Sequence, residues 1–145
     1  MKIGIIGLGY VGLPLVIQFA KSGTQVLGID VDDKKVEALN RGESYIKHIP
    51  DENIHLLNQK NNFRGSSDIS LVKELDCILI CVPTPLKKNR DPDMSYIIST
   101  AQKIAPHIVK GQLIVLESTT YPGTCQEVLL PQLESGSGLE ANKDF

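Results

Sequence analysis

The sequence predicts an α/β fold of the Rossmann type, a doubly wound parallel sheet in a single three-layer domain over residues 1–145. One observation is that short apolar segments alternate with segments of helical spacing along the chain. Another is that residues 75–82, LDCILICV, lack the apolar–polar alternation of a half-exposed strand. Such a strand is typical of a parallel sheet that is covered by helices on both faces.

The first three elements form a strand–helix–strand unit. Residues 2–7, KIGIIG, predict a short apolar strand, and residues 11–23, VGLPLVIQFAKSG, follow with helical spacing. Pro14 is tolerated because it lies in the first turn, where a missing amide costs little. Gly23 is expected to end the helix. Residues 24–30, TQVLGID, predict the second strand.

The next elements are shorter and more polar. Residues 32–42, DDKKVEALNRG, predict a second helix, and either Asp32 or Asp33 is suited to cap its start. Residues 51–60, DENIHLLNQK, predict a short surface helix, and residues 63–67, FRGSS, predict a brief edge strand.

The second half of the chain repeats the alternation. After the buried strand, residues 83–93, PTPLKKNRDPD, predict a loop, and MSYIISTAQKIAPHIVKG predicts a helix at least to Ala105, where the following proline disfavours continuation. Residues 112–118, QLIVLES, predict another buried strand. Residues 121–135, YPGTCQEVLLPQLES, begin a further helix, with Pro131 expected near its end.

Composition excludes several classes of partner. The 145 residues carry a formal net charge of −2, so there is no basic surplus to bind nucleic acid or an anionic membrane. Glycines interrupt the apolar N-terminal segment, and no apolar run approaches the roughly 20 residues that span a bilayer. We therefore expect a cytoplasmic protein with no nucleic-acid and no membrane partner.

The cysteines and histidines do not form a recognisable site. Cys77 and Cys81 lie in the apolar strand and are expected to be small buried residues in a reducing compartment. His48, His55 and His107 are scattered, without the spacing of metal ligands. No metal site is predicted.

A glycine-rich turn follows the first strand directly and opens the first helix. In GLGYVG, Gly7 allows the tight turn, Gly9 leaves room for a pyrophosphate, and Gly12 lets the helix pack against the strand. The amides from Leu8 to Val11 are then expected to point at the anion at the positive end of the helix. Asp30 ends the second strand, close to the spacing of about 20 residues at which an acidic residue grips a ribose.

Asp30 also selects between dinucleotides. A carboxylate accepts hydrogen bonds from ribose hydroxyls and repels a 2′-phosphate, so NAD is favoured over NADP. Lys34, Lys35 and Arg41 follow soon after, and in principle they offer charges that would rescue a phosphate.

Four segments together resemble a known family. KIGIIGLGYVGLPL, LNRGESYI, ICVPTPL and VLESTTYPGT are similar to the NAD-binding N-terminal domain of the UDP-glucose/GDP-mannose dehydrogenase family. The resemblance covers essentially residues 1–145 and is greatest to the branch of UDP-N-acetylglucosamine 6-dehydrogenases. It implies two successive NAD-dependent oxidations at a sugar C6, from alcohol to carboxylate, through an enzyme-bound thiohemiacetal and thioester.

The resemblance also implies the site residues. Thr119 matches a threonine whose hydroxyl helps to position water near the reacting carbon, an auxiliary catalytic role. The implied cofactor-binding residues are Gly7, Leu8, Gly9, Tyr10, Val11, Gly12, Asp30, Lys35, Val82, Pro83, Thr84, Pro85, Ser118, Thr119 and Thr120.

Other interpretations of some of these residues stay open. Ligands of an open α/β sheet bind beyond the carboxyl ends of the strands, where Gly7, Asp30, Pro83 and Ser118 are predicted to lie. The prolines after the fourth strand alternatively only end that strand and stiffen the loop. Thr119 is alternatively an ordinary helix cap before YPGT.

The family's enzymes are much longer than this chain, and their nucleophilic cysteine lies in a later domain that also holds the UDP-sugar. Cys125 stands where the family usually has Thr and lacks glycine-rich surroundings or a nearby base, so it is not expected to be the nucleophile. We expect this chain to bind NAD without turnover and the full-length enzyme to form a homodimer.

The sequence leaves three alternative functions open. They are a stand-alone NAD-binding redox sensor, a different NAD-dependent dehydrogenase such as a 3-hydroxyacid enzyme, and a stand-alone active enzyme.

Overall fold

Five parallel strands form one sheet at the centre of the computed structural model, which describes residues 1–88 and 90–145. Asn89, within the predicted loop 83–93, lies outside the described residues. The spatial order is β3-β2-β1-β4-β5. This confirms the predicted doubly wound sheet and the predicted edge strand. The strands are β1 Lys2–Ile6, β2 Gln25–Ile29, β3 Phe63–Ser66, β4 Cys77–Ile80 and β5 Leu113–Leu116.

The central strand β1 is paired on both sides. Ile3 stands opposite Val26 of β2 and Cys77 of β4, and both pairings are parallel. All four residues of β4 are buried, which explains its uninterrupted apolar sequence. The prediction that β5 is buried in the same way is wrong: β5 is the other edge strand, Leu113 is exposed and its remaining residues are half-buried. At one edge, the Asn40 side chain donates to the Gly65 carbonyl and accepts from the Gly65 amide. The outer side of β3 is therefore partly covered.

Helices connect the strands and end at the signals the sequence carries. The Asp32 carboxylate accepts from the Lys34 amide at 3.1 Å and is the N-cap of the second helix. Within residues 1–88 and 90–145, none of the helices has the length and apolarity needed to cross a bilayer. The α-helices are α1 Gly12–Lys21, α2 Asp33–Arg41, α3 Asp51–Gln59, α4 Ser95–Ile104 and α5 Leu130–Ser137. Shorter 3-10 turns lie at Ile69–Glu74 and Ala105–His107, and a π turn lies at Cys125–Leu129.

Two hydrophobic clusters cover the two faces of the sheet. Successive strand residues point to opposite faces, so Ile5 belongs to one cluster and Ile6 to the other. The cluster around Ile5 includes buried residues of α1 and α3, such as Leu13 and Ile54. The cluster around Ile6 includes buried residues of α4 and α5, such as Ile97. The sheet and the helices packed on its two faces are the three layers that the sequence predicts.

The last helical segment corrects the prediction for Pro131. This proline lies at the start of α5, directly after the π turn Cys125–Leu129, and not near the end of a helix. Proline lacks an N–H and its ring collides with the carbonyl four residues earlier in a regular α-helix. The wider π turn before it accommodates the ring, so the helical path continues through the proline.

Candidate functional site

A cleft of about 810 Å³ opens beyond the carboxyl ends of β1, β2, β4 and β5. Its volume is in the range of typical cofactor sites, and its position is where open α/β sheets bind ligands. The cleft is lined by Ile6, Gly7, Gly9, Tyr10, Val11, Ile29, Asp30, Val31, Lys35, Ser67, Ile69, Cys81, Val82, Pro83, Thr84, Tyr96, Ser99, Thr100, Lys103, Ser118 and Thr119.

The three glycines of the turn have different surroundings. Gly7 adopts a φ of 93°, and a Cβ there would lie 2.7 Å from the Cys81 carbonyl oxygen. A Cβ on Gly12 would lie 1.8 Å from the Gly7 carbonyl oxygen. A Cβ on Gly9 would meet nothing within 4 Å. The protein's own packing therefore requires Gly7 and Gly12, whereas the space at Gly9 is open toward the cleft.

Three main-chain donors adjoin this open space, because Gly9, Tyr10 and Val11 all line the cleft. In the part of the chain that the structure describes, the amides of Gly9, Tyr10 and Val11 have no hydrogen-bond acceptor. They precede α1, whose N-terminal end favours negative charge. The Leu8 amide, predicted to face the anion with them, instead donates to Asp30 Oδ2 at 2.8 Å.

Asp30 combines burial with unused acceptor capacity. The residue is 8% exposed, and its Oδ1 accepts from the Asp32 amide at 3.0 Å. Lys35 Nζ lies 3.7 Å from Asp30 Oδ2 and compensates its charge. A carboxylate has about four acceptor positions, of which the two amides occupy two. The side chain can therefore still accept from ribose hydroxyls, and the open space at Gly9 accommodates a diphosphate, so these residues fit a dinucleotide.

Two hydroxyls join the segments that follow β4 and β5. Thr84 Oγ1 donates to the Thr119 carbonyl and Ser118 Oγ donates to the Val82 carbonyl, both at 2.7 Å. Thr119 itself does not cap a helix, because the next helical segment starts at Cys125 after Thr124. Its predicted auxiliary role stays a prediction.

Four of the predicted residues do not line the cleft. The Leu8 side chain is fully buried, and Gly12 is buried in α1 against the loop. The Pro85 carbonyl accepts from the Asp93 amide at 2.8 Å and so closes a turn of the loop. Thr120 lies next to the lining residues without being one of them. The remaining predicted residues do line it: Gly7, Gly9, Tyr10, Val11, Asp30, Lys35, Val82, Pro83, Thr84, Ser118 and Thr119.

One helix contributes a wall that the sequence interpretation missed. Tyr96, Ser99, Thr100 and Lys103 of α4 all line the cleft. Their spacing is that of a single helical face, so a largely polar stripe on an otherwise apolar helix was the available signal. Ser67, which follows β3, was missed as well.

The two buried cysteines, Cys77 and Cys81, show no sign of activation. Cys81 lies at the base of the cleft, where burial raises its pKa to about 11 with a smaller contribution from Glu117. Burial also raises the pKa of Cys77. Cys125 is exposed and does not line the cleft. Among residues 1–88 and 90–145, no three His, Cys, Asp or Glu side chains are grouped to hold a metal ion.

Comparison with known proteins identifies the family. The sequence matches the NAD binding domain of the UDP-glucose/GDP-mannose dehydrogenase family over residues 1–145. The chain belongs to this family. The assignment confirms the resemblance found in the sequence and NAD as the cofactor, and it disfavours the alternative of a 3-hydroxyacid enzyme.

Individual relatives of this dehydrogenase domain act on different sugars. This chain is 37% identical over 145 residues to UDP-N-acetyl-D-glucosamine 6-dehydrogenase of Salmonella typhi, and the alignment covers 100% of this chain and 33% of that enzyme. It is 39% identical over 126 residues to UDP-N-acetyl-D-mannosamine dehydrogenase of Salmonella typhi, covering 87% of this chain and 30% of that enzyme. The chain spans about a third of the length of these curated relatives.

A solved structure supports the fold of the dehydrogenase domain. A ternary complex of GDP-mannose dehydrogenase from Pseudomonas aeruginosa matches with a TM-score of 0.96 at 35% identity, covering 100% of this chain and 34% of that one. The Rossmann-type architecture predicted from the sequence is thereby confirmed.

Proposed function

We propose that this chain is the NAD-binding domain of a nucleotide-sugar 6-dehydrogenase that oxidises the C6 alcohol of a UDP-sugar to a carboxylate in two NAD-dependent steps. The observation that carries the proposal is the cleft, with open space at Gly9 beside free amides and the buried carboxylate of Asp30. UDP-N-acetylglucosamine is the favoured substrate, because a UDP-N-acetyl-D-glucosamine 6-dehydrogenase aligns with the whole of this chain.

Each part of the cleft has a task in this proposal. The amides of Gly9, Tyr10 and Val11 donate to the diphosphate, and Asp30 accepts from the ribose. Lys35 compensates the Asp30 charge. NAD, when bound, supplies the acceptor for the hydride that leaves the sugar carbon.

The strand-end segments serve the reacting end of the cofactor. The bonds from Thr84 to Thr119 and from Ser118 to Val82 hold the segments after β4 and β5 together. We assign to the Thr119 hydroxyl the orientation of water near the reacting carbon. The hydrogen bond from Thr84 restrains the main chain of Thr119. This restraint limits the positions that the Thr119 hydroxyl can occupy.

The remaining chemistry is assigned to other parts of the full-length enzyme. Both Cys77 and Cys81 are buried with raised pKa values, so neither supplies a thiolate at neutral pH. We propose that a separate domain provides the nucleophilic cysteine and the sugar site, and that this chain alone binds NAD without turnover. A cytoplasmic homodimer is the form we propose for the full-length protein.

Calorimetric titration of the chain with NAD and NADP tests the diphosphate site. We expect NAD to bind more tightly than NADP, and Gly9→Val to weaken NAD binding by about a hundredfold or more. The reason is that a branched side chain fills the space beside two or three charge-assisted hydrogen bonds. The Gly9→Val variant should still fold, because a Cβ at Gly9 meets nothing within 4 Å. Undiminished NAD affinity in the folded variant would refute the site.

The substrate is tested on the full-length enzyme that contains this domain. NADH formation is measured with UDP-N-acetylglucosamine, UDP-N-acetylmannosamine and GDP-mannose, and the highest kcat/KM is expected for the first. A higher value for either of the others overturns the substrate assignment but leaves the NAD site intact. NADH formation by the isolated chain contradicts the proposal that it lacks turnover.

A further inference from the structure

Tyr45 lies outside the cleft lining, yet it bonds to the glycine-rich turn. It belongs to the segment of residues 42–50 that connects α2 to α3. Its hydroxyl donates to the Leu8 carbonyl at 2.5 Å, across 37 residues of sequence. The same segment makes a second contact, because the His48 ring stacks on the Tyr10 ring with centroids 6.0 Å apart. Two side chains of one segment thus contact the turn on either side of Gly9, at Leu8 and at Tyr10.

Leu8 is fixed in three independent ways. Its amide donates to Asp30, its carbonyl accepts from Tyr45, and its side chain is 0% exposed. The side chain also fills the space above Gly28, where an added Cβ would lie 2.9 Å from a Leu8 methyl. Rotation of the turn about Leu8 would break at least one of these interactions, so the turn is ordered by the protein itself.

The bond from Tyr45 also sets the direction of the next amide. The Leu8 carbonyl and the Gly9 N–H belong to the same peptide group, and the described chain has no cis peptide bonds. In a planar trans peptide the C=O and N–H point in opposite directions. With its carbonyl held toward Tyr45, the peptide directs the Gly9 N–H to the other side, away from Tyr45. Gly9 itself lines the cleft.

We propose that Tyr45 is a positioning residue for the cofactor diphosphate, acting through the Leu8–Gly9 peptide to aim the Gly9 N–H at the ligand. This rests on the proposed function of the glycine-rich turn as the diphosphate site. A hydrogen bond accepted by the carbonyl also polarises the peptide and makes its N–H a stronger donor. The segment LNRGESYI, conspicuous in the sequence, thereby gains a role at the cofactor site.

The hydroxyl is well suited to remain a donor. Burial raises the Tyr45 pKa above its usual value, and the carboxylates of Asp30 and Asp32 raise it further. The phenol therefore stays protonated throughout the pH range in which NAD binding is measured. Lys35 Nζ lies 5.9 Å from the centre of the Tyr45 ring and 3.7 Å from Asp30 Oδ2, so it packs between the two groups.

The test is Tyr45→Phe, which removes the hydroxyl and keeps the ring. We expect NAD and ADP to bind about 3- to 10-fold more weakly, as for one lost hydrogen bond, and adenosine to bind as before because it has no phosphate. In the ligand-free chain, the Gly9 amide resonance in the ¹H–¹⁵N spectrum should shift. Tyr121→Phe is the matched control, because in the described chain Tyr121 takes part in hydrogen bonds through its main-chain carbonyl and not through its hydroxyl, and this change should alter none of these values.

The outcomes separate this inference from the proposed function. If Tyr45→Phe leaves NAD and ADP affinity unchanged while Gly9→Val abolishes it, the positioning role is overturned and the diphosphate site stands. Equal losses for adenosine and ADP would mean that Tyr45 only supports the fold, which also overturns the inference. If Gly9→Val binds NAD normally, the diphosphate site itself is refuted.

Discussion

At the scale of single residues, Asp30 connects the cofactor site to the stability of the turn. Its two oxygens accept from the amides of Leu8 and Asp32, and its position is largely buried. The sequence predicts the carboxylate at this position from its spacing to the glycines. The bond to Leu8 was not predictable, because nothing in the spacing shows which amide of the turn points back toward the strand.

Asp30→Ala should therefore have two effects. The variant leaves a buried amide without an acceptor, so the free energy of unfolding should fall by about 1–3 kcal/mol in chemical denaturation. NAD should bind more weakly, and its advantage over NADP should narrow, because the ribose loses its acceptor and a 2′-phosphate loses its repulsion. Calorimetric titration with both dinucleotides measures this ratio.

Asp33→Ala is the matched control for this variant. Asp33 is exposed in the first turn of α2, three residues from Asp30, and does not line the cleft. Asp33→Ala should leave the ratio of NAD affinity to NADP affinity nearly unchanged. An unchanged ratio in Asp30→Ala would show that Asp30 is not the selector.

At the scale of elements, the contact between α1 and the turn before it determines where the free amides point. The start of α1 packs so closely on Gly7 that only a hydrogen fits at Gly12. The strand–turn–helix order was predictable from apolar spacing and the glycine pattern. For α4 the sequence offers only its polar stripe as a signal, because whether that face of the helix meets the cleft depends on how the chain crosses over the sheet.

Gly12→Ala should lower the free energy of unfolding by about 1–3 kcal/mol, the usual cost of overpacking. The added methyl group would lie 1.8 Å from the Gly7 carbonyl oxygen, a main-chain atom that cannot rotate away. Differential scanning calorimetry measures the loss. Gly9→Ala adds the same group into open space and should leave the melting temperature close to that of the wild type. Equal stability of the two variants would contradict the tight packing.

At the scale of the whole molecule, the sequence is sufficient to predict the three layers but not the contacts between residues that are far apart along the chain. Uninterrupted apolar strands predict a sheet covered on both faces, and residues such as Ile5 and Ile6 are indeed divided between two cores. The hydrogen bond from Tyr45 to Leu8 spans 37 residues, and no local pattern predicts such a pairing. Pro131 was misplaced because a π turn has no clear sequence signal.

The parallel order of the sheet has a consequence for biosynthesis. The central strand β1 pairs with β4, and a hydrogen bond at their ends joins Lys2 to Asp76, 74 residues later. At about 5–20 residues per second, a ribosome needs roughly 4 to 15 seconds to synthesise that interval. Until β4 has been synthesised, the apolar strand β1 can pair on one side only, with β2. We therefore expect the central strand to be fully paired only after the fourth strand has emerged from the ribosome.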